Sequence, residues 1–221
     1  MFVQIVNLIL LFLRFLWHRS WIPLVSVNQS HRNAVPKTYS RFLGIDMDDI
    51  PEIPLTFKTF ALFVIIFFTT SIVFTIAYPL YWVLKRLSNL RVRPRLLTAS
   101  EKTYLTGHPA QELADSLNVV GRNSFLTWLL ASQNDLAICV ENLILQTGTA
   151  PRVPACTLRH EAVHALQYKR YGGLIPFCAL YFAHQITYWL WYWKDTSWML
   201  AYAANPLEIE AHAFEGTGRE I

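Results

Sequence analysis

The sequence predicts a mixed α+β domain carried on a membrane-anchoring N-terminal region, and three observations lead there. Residues 59 to 84, TFALFVIIFFTTSIVFTIAYPLYWVL, contain no charged side chain and exceed the ~20 residues a helix needs to cross a bilayer. Farther along, the apolar runs SFLTWLLA and LAICVENLILQ are separated by the turn-like SQND, the pattern of a β-hairpin. Residues 157 to 173, TLRHEAVHALQYKRYGG, then set two histidines four positions apart and end on paired glycines, as a helix with a glycine stop does.

Composition narrows the class. The 221 residues are 53% hydrophobic and 14% aromatic but only 15% charged, which points to a membrane protein over a fully soluble domain. The net charge of +4 and pI near 9.0 do not indicate nucleic acid. The basic residues flank apolar segments and form no stripe with interleaved aromatics, so lipid headgroups of the bilayer are the expected partner. Cys139, Cys156 and Cys178 are odd in number and share no CxxC spacing, so they read as buried thiols, with neither a disulfide framework nor a thiolate metal cage.

Taken in order, residues 1 to 96 form the membrane-anchoring region. A second membrane helix over residues 2–17 either crosses the bilayer or lies in its interface with Arg14 and Arg19 among the headgroups. The stretch IDMDDIPEIPLTF is broken by Pro51 and Pro54 and has no calcium-loop spacing, so it reads as a surface loop. In the helix of 59–84, Tyr78, Tyr81 and Trp82 are interfacial aromatics and Pro79 is positioned to kink the last turns. Lys85, Arg86, Arg91, Arg93 and Arg95 follow without an acidic partner, a signal that keeps the C-terminal part in the cytoplasm.

The folded domain spans residues 97 to 221. LTASEKTYLTGHPAQELADSL reads as helical, capped near Thr98 and closed by Gly121. The hairpin follows, then the loop TGTAPRVPA, and Thr157 is placed to cap the helix that Gly172 and Gly173 end.

On that helix, His160 and His164 project from one face at a separation suited to one metal ion. Neutral imidazole suits zinc, and zinc with three protein ligands and an open position lowers the pKa of its water to about 7. Glu161, rotated by about 100° from His160, is placed as a general base and not as a ligand on the same face. NPLEIEAHAFE, residues 205 to 215, offers a third ligand on a helix that starts after a proline. Glu208 and Glu210 point nearly opposite ways there, so only one of them can face the metal.

The pair HExxH and E-x-x-A resembles the gluzincin zinc peptidases, particularly the HtpX-type and prenyl-protein-protease membrane families. The longer string HEAVHALQYKRYGG…NPLEIEAHAFE is also similar to small bacterial zincin-like proteins. The resemblance covers residues 157 to 215. It implies a minimal zincin-like α+β metallopeptidase fold, one Zn2+ per chain, Glu161 as the catalytic base, and His160, His164 and Glu208 as ligands, with Glu210 the alternative third ligand. Where those families place Asp, this chain has His212, which could accept a proton from a ligand imidazole only as a neutral ring. Gln167 continues the ligand face by one turn, and Tyr202 is a candidate for polarising the scissile carbonyl; each has an ordinary reading as well, as a polar surface residue and a packed aromatic. By analogy, AICVENLILQ supplies the edge strand that pairs with an extended substrate.

Residues 171–193, YGGLIPFCALYFAHQITYWLWYW, are also charge-free and long enough to span. A single crossing would put Glu208 on the side opposite His160 and His164. The zinc reading therefore leaves a re-entrant hairpin, an interfacial helix pair or a buried core segment for this insert, with His184 a hydrogen-bonded or interfacial histidine. The expected function is a zinc-dependent peptidase at the cytoplasmic face of a membrane, the bacterial inner membrane by resemblance, acting on a peptide or protein that includes membrane proteins. The alternatives are a non-catalytic zinc-stapled membrane module and an intramembrane protease. Arg159, Lys169 and Arg170 on the motif helix oppose the second, since burying them in lipid is costly.

Overall fold

The computed structural model describes residues 6–7, 56–91, 93–121, 137–146, 152–192 and 197–216, without the side chains of 87–91. The expected helix over 2–17, apart from Val6 and Asn7, lies outside the described residues, as do most of the loop before the long helix and the run SFLTWLLA with its SQND turn. The chain groups into two compact units, Met1–Ile76 with Tyr171–Ala213 and Ala77–Arg170 with Phe214–Ile221.

The first unit is helical. Helix α1, Phe57–Arg91, begins where the hydroxyls of Thr56 and Thr59 each accept from the other's backbone N–H, at 3.3 and 2.9 Å, an arrangement that satisfies otherwise orphaned amide groups. Its residues Phe57–Arg86 are long and apolar enough to cross a membrane. Pro79 lies inside the helix without ending it. Within the first unit the helix is two-sided: Phe63, Ile66, Phe67 and Thr70 are buried, whereas Ile65, Phe68, Ile72 and Ile76 are exposed.

Helix α4, Leu174–Trp191, holds the apolar insert, and it is one unbroken helix buried over most of its length. The hairpin arrangement is therefore not what this segment forms. Gly172 and Gly173, at φ of 91° and 115°, occupy the left-handed region that glycine enters without steric penalty, and they separate α4 from the motif helix before it. Phe63 meets the His184 ring at a centroid distance of 5.0 Å, and the Thr70 hydroxyl donates to the Ala179 carbonyl at 3.1 Å. These two pairings order α1 and α4 in opposite senses. Helices α5, Trp198–Ala203, and α6, Pro206–Ala213, complete the unit. Asn205 caps α6: its side-chain oxygen accepts from Leu207 N–H at 3.1 Å, and Pro206 takes the first helical position, where no donor is needed.

The second unit is α+β. Its sheet runs β1-β2-β4-β3, with β1 Arg95–Leu96, β2 Asn118–Val120, β3 Ala137–Val140 and β4 Leu143–Gln146; β2 and β4 are parallel and the other pairs antiparallel. Two sequence expectations change here. LAICVENLILQ is not one strand but a complete hairpin, β3 and β4, turning at Glu141 and Asn142. Glu141 takes a φ of 59°, the positive value that such two-residue turns require, in a residue type that seldom adopts it. The helical reading of 97 to 117 shortens to α2, Ala99–Thr103, and a 3-10 turn, Gln111–Leu113, and the Asn118–Val120 segment before Gly121 is a strand. Non-local pairing of Val119 with Ile144 overrides the local pattern there.

The expected cap at Thr98 forms as a capping box with Glu101. Glu101 is fully buried and accepts from both terminal nitrogens of Arg95 at 2.7 and 2.8 Å, and Lys85 pairs with Glu141 at 3.3 Å, so two of the five basic residues expected to lack an acidic partner have one. Burial opposes the ionisation of Glu101, but the bonds from Arg95 and Thr98 outweigh that and hold its carboxyl down at about 2. The motif helix α3, Ala155–Tyr171, starts three residues earlier than expected: Leu158 N–H reaches the Pro154 carbonyl at 2.8 Å, so Thr157 lies inside the first turn and is not its cap. Cys139 and Cys178 are buried, but Cys156, at the start of α3, is exposed.

Candidate metal centre

The second unit holds both motif histidines. His160 and His164 are 6% and 7% exposed, and their Nε2 atoms face each other at 3.0 Å. His164 Nδ1 meets the side-chain oxygen of Gln167 at 2.8 Å, and His160 Nδ1 meets Glu215 Oε1 at 2.9 Å. An amide oxygen only accepts, so His164 carries its proton at Nδ1 and turns its Nε2 lone pair toward His160. Two imidazole Nε2 atoms facing each other at this distance can share a proton or hold one metal ion between them.

Glu161 is buried on the same helix. Burial, with the nearby carboxylates of Glu161 and Glu141, pushes the Cys139 thiol well above its usual range. Tyr168 donates to the Cys139 carbonyl at 3.4 Å, fixing α3 against β3. Among the described residues β3 has β4 on one side only. Gln167 is fully buried, so of its two readings the bond to a ligand-type histidine is the one realised.

The first unit holds the acidic helix. Glu208 is 2% exposed and accepts at Oε1 from the Tyr181 hydroxyl at 2.5 Å, the length of a charge-assisted O–H···O⁻ bond. Asn205, the α6 cap, also donates its side-chain N–H to the Tyr181 carbonyl at 3.1 Å. One residue of α4 therefore anchors both the start of α6 and its first carboxylate. His212 Nε2 lies 3.8 Å from Glu208 Oε2, one turn along. Glu210 is half-buried on another face, and Tyr202 on α5 is half-buried too. His184 is buried on α4 against Phe63.

Buried histidines and glutamates that could hold a metal ion are thus present: His160 and His164 in the second unit, Glu208 and His212 in the first, with half-buried Glu215 beside His160. Two imidazoles and a carboxylate are a donor set that zinc accepts. Tyr181 and Glu215 did not emerge from the sequence. Glu215 carried no helical signal, because it lies past the end of α6 at Ala213; Tyr181 carried none, because it contacts Glu208 across 27 residues. No protein-family model, curated protein or solved structure matches the chain.

Proposed function

We propose that this chain is a membrane-associated zinc-dependent peptidase of gluzincin type, with His160, His164 and Glu208 as the ligands of one zinc ion. The observation that carries the reading is the facing pair of imidazole Nε2 atoms 3.0 Å apart, with the His164 ring fixed through its Nδ1 by Gln167. Bound zinc supplies a Lewis-acidic position at which water ionises near pH 7. The chain's own residues do the rest. Glu161 takes the proton of the attacking water and returns it to the leaving amine, and Tyr181 holds the Glu208 carboxylate in one orientation. β3 gives an extended peptide a backbone to pair with.

The membrane association rests on the apolar span of α1, and the basic residues after Leu84 favour a cytoplasmic site. A cysteine replacing Lys169, in a background without the native three, is then protected from an impermeant reagent in intact cells and labelled once the membrane is opened.

Elemental analysis of protein kept clear of tag-bound metal tests the metal, with about one zinc per chain expected and His160→Ala or His164→Ala losing most of it. Glu161→Gln tests the chemistry: zinc stays while cleavage of an unfolded membrane-protein substrate falls about a hundredfold or more. Metal-free wild type sinks the reading. Zinc-loaded wild type without turnover on any substrate supports a non-catalytic zinc-stapled module, the reading that His212 beside Glu208, in place of an Asp, favours.

A further inference from the structure

We infer that Arg159 Nη2 and His108 Nε2 hold one small anion between them, a halide such as chloride, in a site built into the second unit. The site stands apart from the metal reading.

Both groups lie between the same two pieces of backbone. Arg159 donates through Nε to the Tyr104 carbonyl at 3.0 Å and through Nη1 to the Glu215 carbonyl at 3.1 Å. His108 belongs to the same turn, its N–H bonded to the Leu105 carbonyl at 3.0 Å, and its ring meets the Phe214 ring edge-on at 5.9 Å. The turn of residues 104–108 and the pair Phe214 and Glu215 thus bring imidazole and guanidinium together. Burial first, and then the Arg159 charge, hold His108 down at about 4, so its ring is neutral near pH 7.

Each group presents a donor. Ala110 N–H donates to His108 Nδ1 at 3.1 Å, so the proton of the neutral ring sits on Nε2. That Nε2 and Arg159 Nη2 are both buried without a hydrogen-bond partner among the described residues, in side chains of residues 5% and 3% exposed. The guanidinium bonds only to two neutral carbonyls there, and the Glu215 carboxylate is placed elsewhere, with Oε1 2.9 Å from His160 Nδ1.

A buried cation in that setting is costly, and a buried donor without an acceptor adds to the cost. One anion between the two relieves both. Water could accept from both donors but would leave the charge uncompensated and bring two hydrogens of its own. The N–H bonds on offer, two on Nη2 and one on Nε2, suit a monatomic anion, whereas phosphate or sulfate would keep oxygens unpaired in the same enclosure.

The test uses the full chain in detergent, with gluconate exchanged for chloride at constant ionic strength. The melting midpoint of wild type should rise by about 3–5 °C for each tenfold increase in chloride above half-saturation. Bromide should replace chloride, and crystals grown in bromide should show an anomalous peak within hydrogen-bond reach of both nitrogens. His108→Asn keeps an oxygen near the place of Nδ1 for Ala110 N–H but has no donor at Nε2; its half-saturation should move to about tenfold higher chloride or beyond. His108→Gln reaches the Nε2 position with an amide N–H and should keep most of the response. Arg159→Gln removes the charge and should lose it.

A wild-type midpoint indifferent to chloride overturns the inference, as does a half-saturation in His108→Asn within about twofold of wild type. An ordered water in place of the anomalous peak overturns it too. Should Arg159→Gln fail to fold, His108→Asn decides. No readout involves metal or turnover, so a failed zinc reading leaves this result standing and a failed anion site leaves the zinc reading as it was.

Discussion

Helices α1 and α4 are both long and apolar, yet in the first unit α1 exposes Ile65, Phe68, Ile72 and Ile76 while α4 buries twelve of its eighteen residues. Hydropathy does not separate them; the partners of their polar groups do. The hydroxyls of Thr69, Ser71 and Thr75 return to carbonyls four residues earlier in α1, at 2.9, 2.6 and 2.7 Å, so these groups ask nothing of a neighbour. α4 instead buries His184, Gln185 and Thr187 in its centre, and the Tyr181 hydroxyl reaches Glu208. A helix that satisfies its own polar groups can face lipid; one that needs outside partners must lie in protein.

The largest test deletes side chains from each helix. Leu180→Ala in α4, where the residue is 1% exposed, is expected to cost about 2–5 kcal/mol of stability in detergent. Ile72→Ala in α1, at 61% exposed, should cost less than about 1 kcal/mol, and equal losses in denaturation would erase the contrast. Next in size, Ile72→Arg near the middle of the 57–86 span should make membrane insertion less favourable by about 2.5–3.5 kcal/mol. Translocation assays read this directly, and insertion indifferent to that arginine would mean that α1 does not face lipid.

The smallest test concerns two neighbouring threonines. Thr70, which is buried, bonds within its helix to the Ile66 carbonyl at 2.8 Å and also comes within 3.1 Å of the Ala179 carbonyl. Thr70→Val should therefore cost about 1 kcal/mol, and Thr69→Val, bonded only to Ile65, less than about 0.5 kcal/mol. Thermal melts of the two variants side by side would show the ranking, and a reversed order would assign the interhelical contact to packing alone.

What the sequence revealed follows the range of the interaction. The motif helix with its glycine stop, the Thr98 cap and the proline start of α6 are local signals, and each was readable. The β3–β4 turn was not, because its positive-φ residue is a glutamate where a glycine or asparagine would have announced it. β2 was read as the tail of a helix because three residues are too few for a period, and its identity comes from pairing with β4. Within the site, His160 and His164 followed from spacing alone. Their neighbours divide by distance: Gln167 is one turn away and could be named, whereas Glu215 comes close to His160 over 50 residues of chain.

The exposure of Cys156 gives the native molecule a chemical handle. Of the three cysteines, Cys139 and Cys178 are buried, and Cys139 is further protected because its thiol resists forming the reactive thiolate. A maleimide dye should therefore attach at a single place, on the first turn of α3 and four residues before His160. Its emission, followed as zinc is added or stripped, would report occupancy beside the motif in a chain with no residue changed.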